Sequence, residues 1–194
     1  IPVSADFELQ WKDLESTRDA TDYHKEVHAE IIQFQGRVEQ CIAQRHQLKG
    51  EEEKVYREVL TRVETSYRKL SETSLSRLRH LETLSSFMEA ATKELLWLSQ
   101  KEDTELARDW SSKDLQIHEI EEYYQSLMRE LETRGASFGA VLDHGESLAL
   151  ARHPAAKTVE AYTGALHTQW AWLLQLTHCL DTHLKAAAAY FKFY

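Results

Sequence analysis

The chain has 194 residues, of which 42% are hydrophobic and 28% charged, enough apolar material for a folded core. Its 6 glycines and 2 prolines are too few for collagen, low-complexity chain or a turn-rich all-β fold. The formal net charge of −9, without a compact Lys/Arg cluster, argues against binding to nucleic acid or anionic lipid. The sequence has no apolar run of about 18 residues, so it predicts no membrane insertion.

The two cysteines, Cys41 and Cys179, stand far apart in the sequence and form no Cys-x-x-Cys pair. This argues against a disulfide framework or a zinc knuckle and favours a reducing, cytoplasmic setting. The first eleven residues, IPVSADFELQW, lack the features of a signal peptide and a starting Met, so we expect a fragment of a longer protein.

The first apolar stripe predicts one long helix that ends near Lys49–Gly50, where a basic residue precedes a glycine. Steps of four and three residues connect its apolar members, with polar interruptions at His24 and Arg45. These members are Ala20, Val27, Ile31, Phe34, Val38, Cys41 and Leu48.

The second stripe predicts a single helix over residues 51–107, about 85 Å long at 1.5 Å per residue. The register of its first half falls on the polar residues Ser74 and Arg77, which indicates that the buried face rotates there. One small globule cannot cover such a length, so the two halves are expected to serve two bundles. The stripe consists of Tyr56, Leu60, Val63, Tyr67 and Leu70, then Leu81, Leu84, Met88, Ala91, Leu95 and Leu98.

Two further helices are predicted after residue 110. One starts near Ser111, with Asp114 three residues on, and carries an apolar stripe from Ile117 to Leu148. Three glycines are expected to bend it, break it or allow a close helix approach: Gly135, Gly139 and Gly145. The other starts at Pro154, expected at the first helical position, and its stripe runs from Val159 to Tyr190. Its apolar end suggests that the natural protein continues.

The order of these helices repeats after roughly 100 residues. A repeat of this period built from long amphipathic helices predicts tandem three-helix bundles. We therefore predict an all-α fold of spectrin-type bundles that share a continuous connecting helix. Residues 1–75 would form a partial repeat without its first helix, and residues 76–194 a complete one.

Several segments resemble plakin-domain spectrin repeats, densely over residues 80–194 and more weakly before residue 75. The segments are TKELLWLSQKE at 92–102, DWS at 109–111, LMRELE at 127–132, HPA at 153–155, EAY at 160–162, HTQWAW at 167–172 and AYFKFY at 189–194. The pattern is more similar to the plectin, desmoplakin and spectraplakin group than to envoplakin or periplakin.

The resemblance implies a non-enzymatic segment of a cytoplasmic cytoskeletal linker. The resemblance further implies part of a rod that joins desmosomes or hemidesmosomes to intermediate filaments. The continuous connecting helix predicts that this part is a semi-rigid, force-bearing spacer. The implied partners are the adjacent spectrin repeat and SH3 domain of the same protein, and junctional or cytoskeletal proteins. We expect a monomeric fragment without a cofactor.

Residues that resemble metal or catalytic motifs have simpler interpretations. His24 and His28 stand four residues apart on one predicted helix, but Lys25 replaces the glutamate of a metalloprotease motif. Cys179, between His178 and His183, is expected to pack as a small apolar residue. Residues 143–147 (DHGES) lie on one predicted helix, whereas a catalytic triad converges from separate elements. We therefore assign no catalytic, metal-binding or cofactor-binding residue.

The tryptophans divide into core and surface candidates. Trp97 and Trp170 are expected to anchor the core of the complete repeat. Trp172 lies two residues after Trp170 on a helix, so both cannot face the same interior. Trp172 and Trp110 are therefore the candidate inter-domain or partner contacts.

Two alternatives to a passive spacer remain open in the sequence. A protein-recognition module would bind a junctional partner through an exposed helical face such as that of Trp172. A self-associating coiled coil is the other, because apolar spacing alone does not distinguish intrachain from intermolecular pairing. The segment at residues 71–76 (SETSLS) is expected to keep the surface polar where the apolar stripe changes face.

Overall fold

The computed structural model describes residues 13–45, 49–109 and 116–192. These residues form five α-helices and, within the same ranges, no strand, which confirms the predicted all-α fold. The helices are α1 (Leu14–Gln33), α2 (Gln35–Gln44), α3 (Glu51–Leu106), α4 (Ile117–Leu150) and α5 (Ala156–Lys192). In this part of the chain, no helix is long and apolar enough to cross a membrane.

The chain divides into two compact units, unit 1 over Ile1–Ser86 and unit 2 over Phe87–Tyr194. Helix α3 is continuous through the boundary and contributes residues to both units, as the uninterrupted second stripe predicts. Its observed bounds, Glu51–Leu106, agree within one residue with the predicted helix.

Unit 1 pairs α1 and α2 with the first part of α3 in one antiparallel register. The tyrosine hydroxyls of α3 donate to backbone carbonyl groups: Tyr56 to Cys41 at 2.9 Å and Tyr67 to Ile31 at 3.0 Å. At the start of α1, the Asp13 side chain accepts a hydrogen bond of 2.8 Å from the Ser16 backbone N–H, a standard N-cap.

The prediction of one continuous helix before residue 49 was wrong in two respects. Phe34 separates α1 from α2 with a short turn, in which its carbonyl accepts from Arg37 N–H at 3.0 Å. Gly36 lies two residues after Phe34, and the low helix propensity of glycine favours such an interruption. The helix also ends at Gln44 instead of near Lys49, although Gly50 does adopt a left-handed φ of 75°.

Unit 2 packs the last part of α3 against α4 and α5 around a well-buried core. The apolar stripes predicted for these helices are largely confirmed, because most of their members are buried. The buried members include Met88, Ala91 and Leu98 of α3, Leu127, Leu131, Phe138, Val141 and Leu148 of α4, and Val159, Leu166, Leu173 and Leu180 of α5.

The glycines of α4 do not break the helix, which continues unbroken from Ile117 to Leu150. A close helix approach occurs at Gly145 alone of the three. A Cβ atom there would lie 2.5 Å from Thr163 Cγ2 and 2.9 Å from the Phe87 ring, whereas Gly135 and Gly139 have open space. Glycine is needed at this position because side chains of α3 and α5 lie directly against the α4 backbone.

Helix α4 ends in a Schellman motif with an unusual residue at its left-handed position. His153 N–H donates to Leu148 O and Arg152 N–H to Ala149 O, each at 3.0 Å, and Arg152 has φ 53°. Helix α5 begins at Ala156, so Pro154 lies in the turn and not at the first helical position as predicted. The predicted helix start at Ser111 lies outside the described residues.

Arg152→Gly is expected to stabilise unit 2 by about 0.5–1 kcal/mol, because glycine adopts a positive φ without steric strain. The measurement is urea unfolding of the variant and of Arg152→Ala, which keeps a Cβ atom. Equal stability of the glycine and alanine variants would show that the strain at this position is negligible.

Candidate functional surfaces

His24 and His28 of α1 both meet Ser74 of α3, within unit 1. His24 Nε2 lies 2.9 Å from the Ser74 carbonyl oxygen, and His28 Nδ1 lies 3.0 Å from Ser74 Oγ. Ser74 is only 5% exposed, so the expectation that residues 71–76 form a polar surface was wrong at its centre. His24 and Ser74, which interrupt the apolar stripes of α1 and α3, therefore form a hydrogen bond with each other between the two helices.

The other motifs singled out in the sequence form no catalytic arrangement. Asp143, His144 and Ser147 follow one another along α4, and the His144 ring meets the Phe87 ring edge-on at 5.8 Å. In the described part of the chain, no three His, Cys, Asp or Glu side chains are grouped to hold a metal ion. Cys179 is exposed, so the prediction that it packs as a small apolar residue was wrong.

Trp97 is buried in unit 2, as predicted, and is surrounded by charged side chains of α3 and α4. Its indole N–H donates to Glu130 at 3.3 Å, and the Arg134 guanidinium lies 4.5 Å from the ring centroid. Lys101 pairs with Glu130 at 2.9 Å and, more than any other group, lowers the pKa of that carboxyl.

Glu94 is the most deeply buried acidic residue described in unit 2, at 3% exposure. Arg134 donates to it at 2.9 Å and the Ser137 hydroxyl at 3.2 Å, so its carboxylate is paired on both oxygens. Sequence reasoning missed this site, although Glu94 stands three residues after Ala91 and four before Leu98, on the apolar stripe itself. A carboxylate on an apolar helix face was the signal that could have indicated this buried ion pair, because a buried charge requires a partner.

The charged region beside Trp97 continues toward the start of α4. The Arg108 guanidinium lies 5.1 Å from the Tyr123 ring centroid and pairs with Glu105 at 3.1 Å. Burial, followed by the nearby Glu105 carboxylate, raises the pKa of Tyr123 to about 12. These contacts join the end of α3, and the residues directly after it, to α4.

The two other described tryptophans occupy different environments on α5. Trp170 stacks on Phe138, with ring centroids 4.4 Å apart. Trp172 is 42% exposed, and its indole N–H donates to Glu102 Oε1 at 2.7 Å. The role of Trp172 as a partner contact stays a prediction, and Trp110 lies outside the described residues.

Unit 1 exposes a row of large apolar side chains along α3, which we call the unit 1 apolar face. Its members are Val55 (63% exposed), Val59 (52%), Val63 (41%) and Leu70 (53%). Phe34 and Tyr67, with ring centroids 6.3 Å apart, border a groove beside Val59 and Leu70. Apolar surface gathered in this way is typical of interaction sites.

Comparison with known proteins gives consistent matches. The spectrin-repeat family matches residues 82–185. Human microtubule-actin cross-linking factor 1 is 37% identical over 186 residues, which are 95% of this chain and 2% of that protein. Desmoplakin-A of Danio rerio is 36% identical over 127 residues, which are 64% of this chain and 6% of that protein.

A solved structure extends this similarity to the fold. The crystal structure of a rigid four-spectrin-repeat fragment of the human desmoplakin plakin domain matches with a TM-score of 0.82 and 30% sequence identity. The match covers 98% of this chain and 41% of that one. The predicted resemblance to plakin-domain spectrin repeats is thereby confirmed.

Proposed function

Because this chain belongs to the spectrin-repeat family, we propose that it is a non-enzymatic, semi-rigid and force-bearing spacer within a cytoskeletal linker of the plakin type. The observation that carries the proposal is α3, one helix of 56 residues that contributes to both units. Bending such a helix breaks backbone hydrogen bonds and disturbs side chains packed against its neighbours. A connection of this kind resists bending more than a flexible loop does.

The names of the relatives support the cellular part of this proposal. One relative is a cross-linking factor of microtubules and actin, and the matched desmoplakin fragment is described as rigid. We place this chain in the cytoplasm, at the cytoskeleton and at cell junctions such as desmosomes or hemidesmosomes, with intermediate filaments among its targets. Its proposed neighbours in the complete protein are a further spectrin repeat and an SH3 domain.

The proposed organisation is a partial repeat over residues 1–75, followed by a complete repeat over residues 76–194. In support, unit 2 contains three helical segments around a buried core, whereas the described part of unit 1 pairs α1 and α2 with α3 only. The exposed unit 1 apolar face is the surface that a third helix would cover.

Ser74→Pro tests the spacer proposal, because proline removes a helical hydrogen bond and kinks α3. Ser74→Ala is the matched control, since it removes the hydroxyl bound by His28 but keeps the helix. We expect X-ray scattering from dilute monomer to give a wild-type maximum dimension of at least about 84 Å, the length of α3. We expect Ser74→Pro alone to shift the distribution of dimensions to shorter values. Equal distributions for all three proteins would contradict the proposal.

The second candidate function is recognition of a junctional partner, and the exposure of Trp172 favours it. Trp172→Ala removes this side chain, while Trp170→Ala removes the neighbouring ring that stacks on Phe138. If Trp172 binds a partner, Trp172→Ala should lose partner binding and keep the wild-type melting temperature. Trp170→Ala should not show this combination. A large loss of stability in Trp172→Ala would instead show that this tryptophan serves the core.

A further inference from the structure

Two tryptophans of unit 2 each donate an indole N–H to a carboxylate on a neighbouring helix. Trp97 of α3 donates to Glu130 of α4 at 3.3 Å, and Trp172 of α5 donates to Glu102 of α3 at 2.7 Å. In both pairs the carboxylate places negative charge at the positive edge of the indole, which increases the electron density on the ring faces. The faces of such a ring attract a cation.

The two tryptophans differ in what lies over the ring. The Trp97 ring is buried, with the Arg134 guanidinium 4.5 Å and Lys101 Nζ 5.7 Å from its centroid. Trp172 is 42% exposed, and in the described part of the chain neither Lys nor Arg lies over its ring. The arrangement at Trp172 therefore repeats the one at Trp97 without the cation.

The Glu102 carboxylate has an oxygen left for a further contact. The Trp172 N–H binds only Oε1, and among residues 13–45, 49–109 and 116–192 no ion pair engages Glu102. Asp103, the next residue on α3, adds an exposed carboxylate. A carboxylate oxygen beside an exposed indole ring matches the guanidinium of arginine, which has N–H donors in its plane and a flat face that stacks on aromatic rings.

We propose that Trp172 and Glu102 bind an arginine side chain of a basic segment in a partner protein. The guanidinium stacks on the Trp172 ring and donates to Oε2 of Glu102. Arg134 already combines two such contacts within unit 2, because it lies over the Trp97 ring and donates to Glu94 at 2.9 Å. The net charge of −9 favours the approach of a basic segment. This inference rests on the second candidate function, recognition through Trp172, and adds the chemical class of the group that is bound.

The test titrates the chain with N-acetyl-arginine methylamide and follows the indole N–H signals of the tryptophans by NMR. We expect the Trp172 signal to shift until it saturates, while the signal of the buried Trp97 stays in place. The arginine probe should bind about five- to tenfold more tightly than the uncharged norleucine analogue. Trp172→Leu identifies the Trp172 signal and should abolish this preference, because leucine is apolar but has no aromatic ring.

Glu102→Gln tests the contribution of the carboxylate. Glutamine keeps an oxygen that accepts the Trp172 N–H but carries no charge, so the preference for arginine should fall by about threefold. Glu132→Gln is the matched control, since it removes the same charge from an exposed position on α4 and should leave the preference unchanged. Circular dichroism and the melting temperature of every variant check that the fold is kept.

Two results would overturn the proposal: equal binding of the arginine and norleucine probes, or a preference for arginine that survives Trp172→Leu or Glu102→Gln. The recognition function fails by a different measurement, which is unchanged binding of the junctional partner to Trp172→Ala. If that variant loses the partner while the probes bind equally, recognition stands and only the arginine proposal is overturned. Neither result affects the spacer function, which depends on α3.

Discussion

Phe87→Ala is expected to lower the free energy of unfolding of unit 2 by about 3–5 kcal/mol. Phe87 is fully buried, and its ring meets His144 edge-on at 5.8 Å and Tyr162 at 6.3 Å. The alanine variant loses these contacts and leaves a cavity that the surrounding helices cannot fill completely. Urea unfolding followed by tryptophan fluorescence measures the loss, with Phe34→Ala, at a half-exposed ring, as the control.

Gly145 provides an independent check of the same packing. Gly145→Ala alone is expected to be destabilising, because the added methyl group approaches Thr163 and the Phe87 ring too closely. In the Phe87→Ala background the ring is absent, so part of that cost should disappear. A double-mutant cycle with no coupling between the two positions would contradict the close approach of α3 and α4 at Gly145.

The helices of unit 2 were predictable because each one buries a face between two neighbours. Leu127, Leu131 and Phe138 recur at helical spacing along α4 and are all buried, so apolar spacing indicated both the helix and its inner face. The uninterrupted run of good helix formers from Glu51 likewise predicted α3, because no glycine or proline ends it.

Spacing alone did not predict burial in unit 1. Val63 and Leu70 continue the apolar stripe and yet remain 41% and 53% exposed. Apolar spacing shows which residues lie on the same face of a helix, whereas burial requires another helix packed on that face. The same limit applies to Ser74, whose hydrogen bonds depend on His24 and His28, about fifty residues earlier in the chain.

The Glu94–Arg134 pair was not predictable for a related reason. A single carboxylate on an apolar stripe resembles an ordinary polar interruption, and its partner lies forty residues further along the chain. Only the packing of α3 against α4 brings Arg134, Ser137 and the Trp97 ring to the same place.

Glu94→Leu is expected to destabilise unit 2 by about 3 kcal/mol, because it removes a carboxylate whose side chain is only 4% exposed and leaves the Arg134 guanidinium, 30% exposed, without this partner. Adding Arg134→Met should recover most of this loss, because the pair is then replaced by apolar side chains of similar length. Urea unfolding of both single variants and the double variant gives the coupling energy.

The pair of Lys101 with Glu130 is the matched control, since it joins the same helices and its carboxylate is 38% exposed, compared with 4% for Glu94. Lys101→Met should cost less than about 1 kcal/mol, because solvent screens partly exposed charges. If Glu94→Leu costs no more than Lys101→Met, then Arg134 turns to solvent once its partner is removed. If the double variant is as unstable as Glu94→Leu, the loss of stability comes from the two hydrogen bonds to the Glu94 carboxylate and not from the unpaired Arg134 charge.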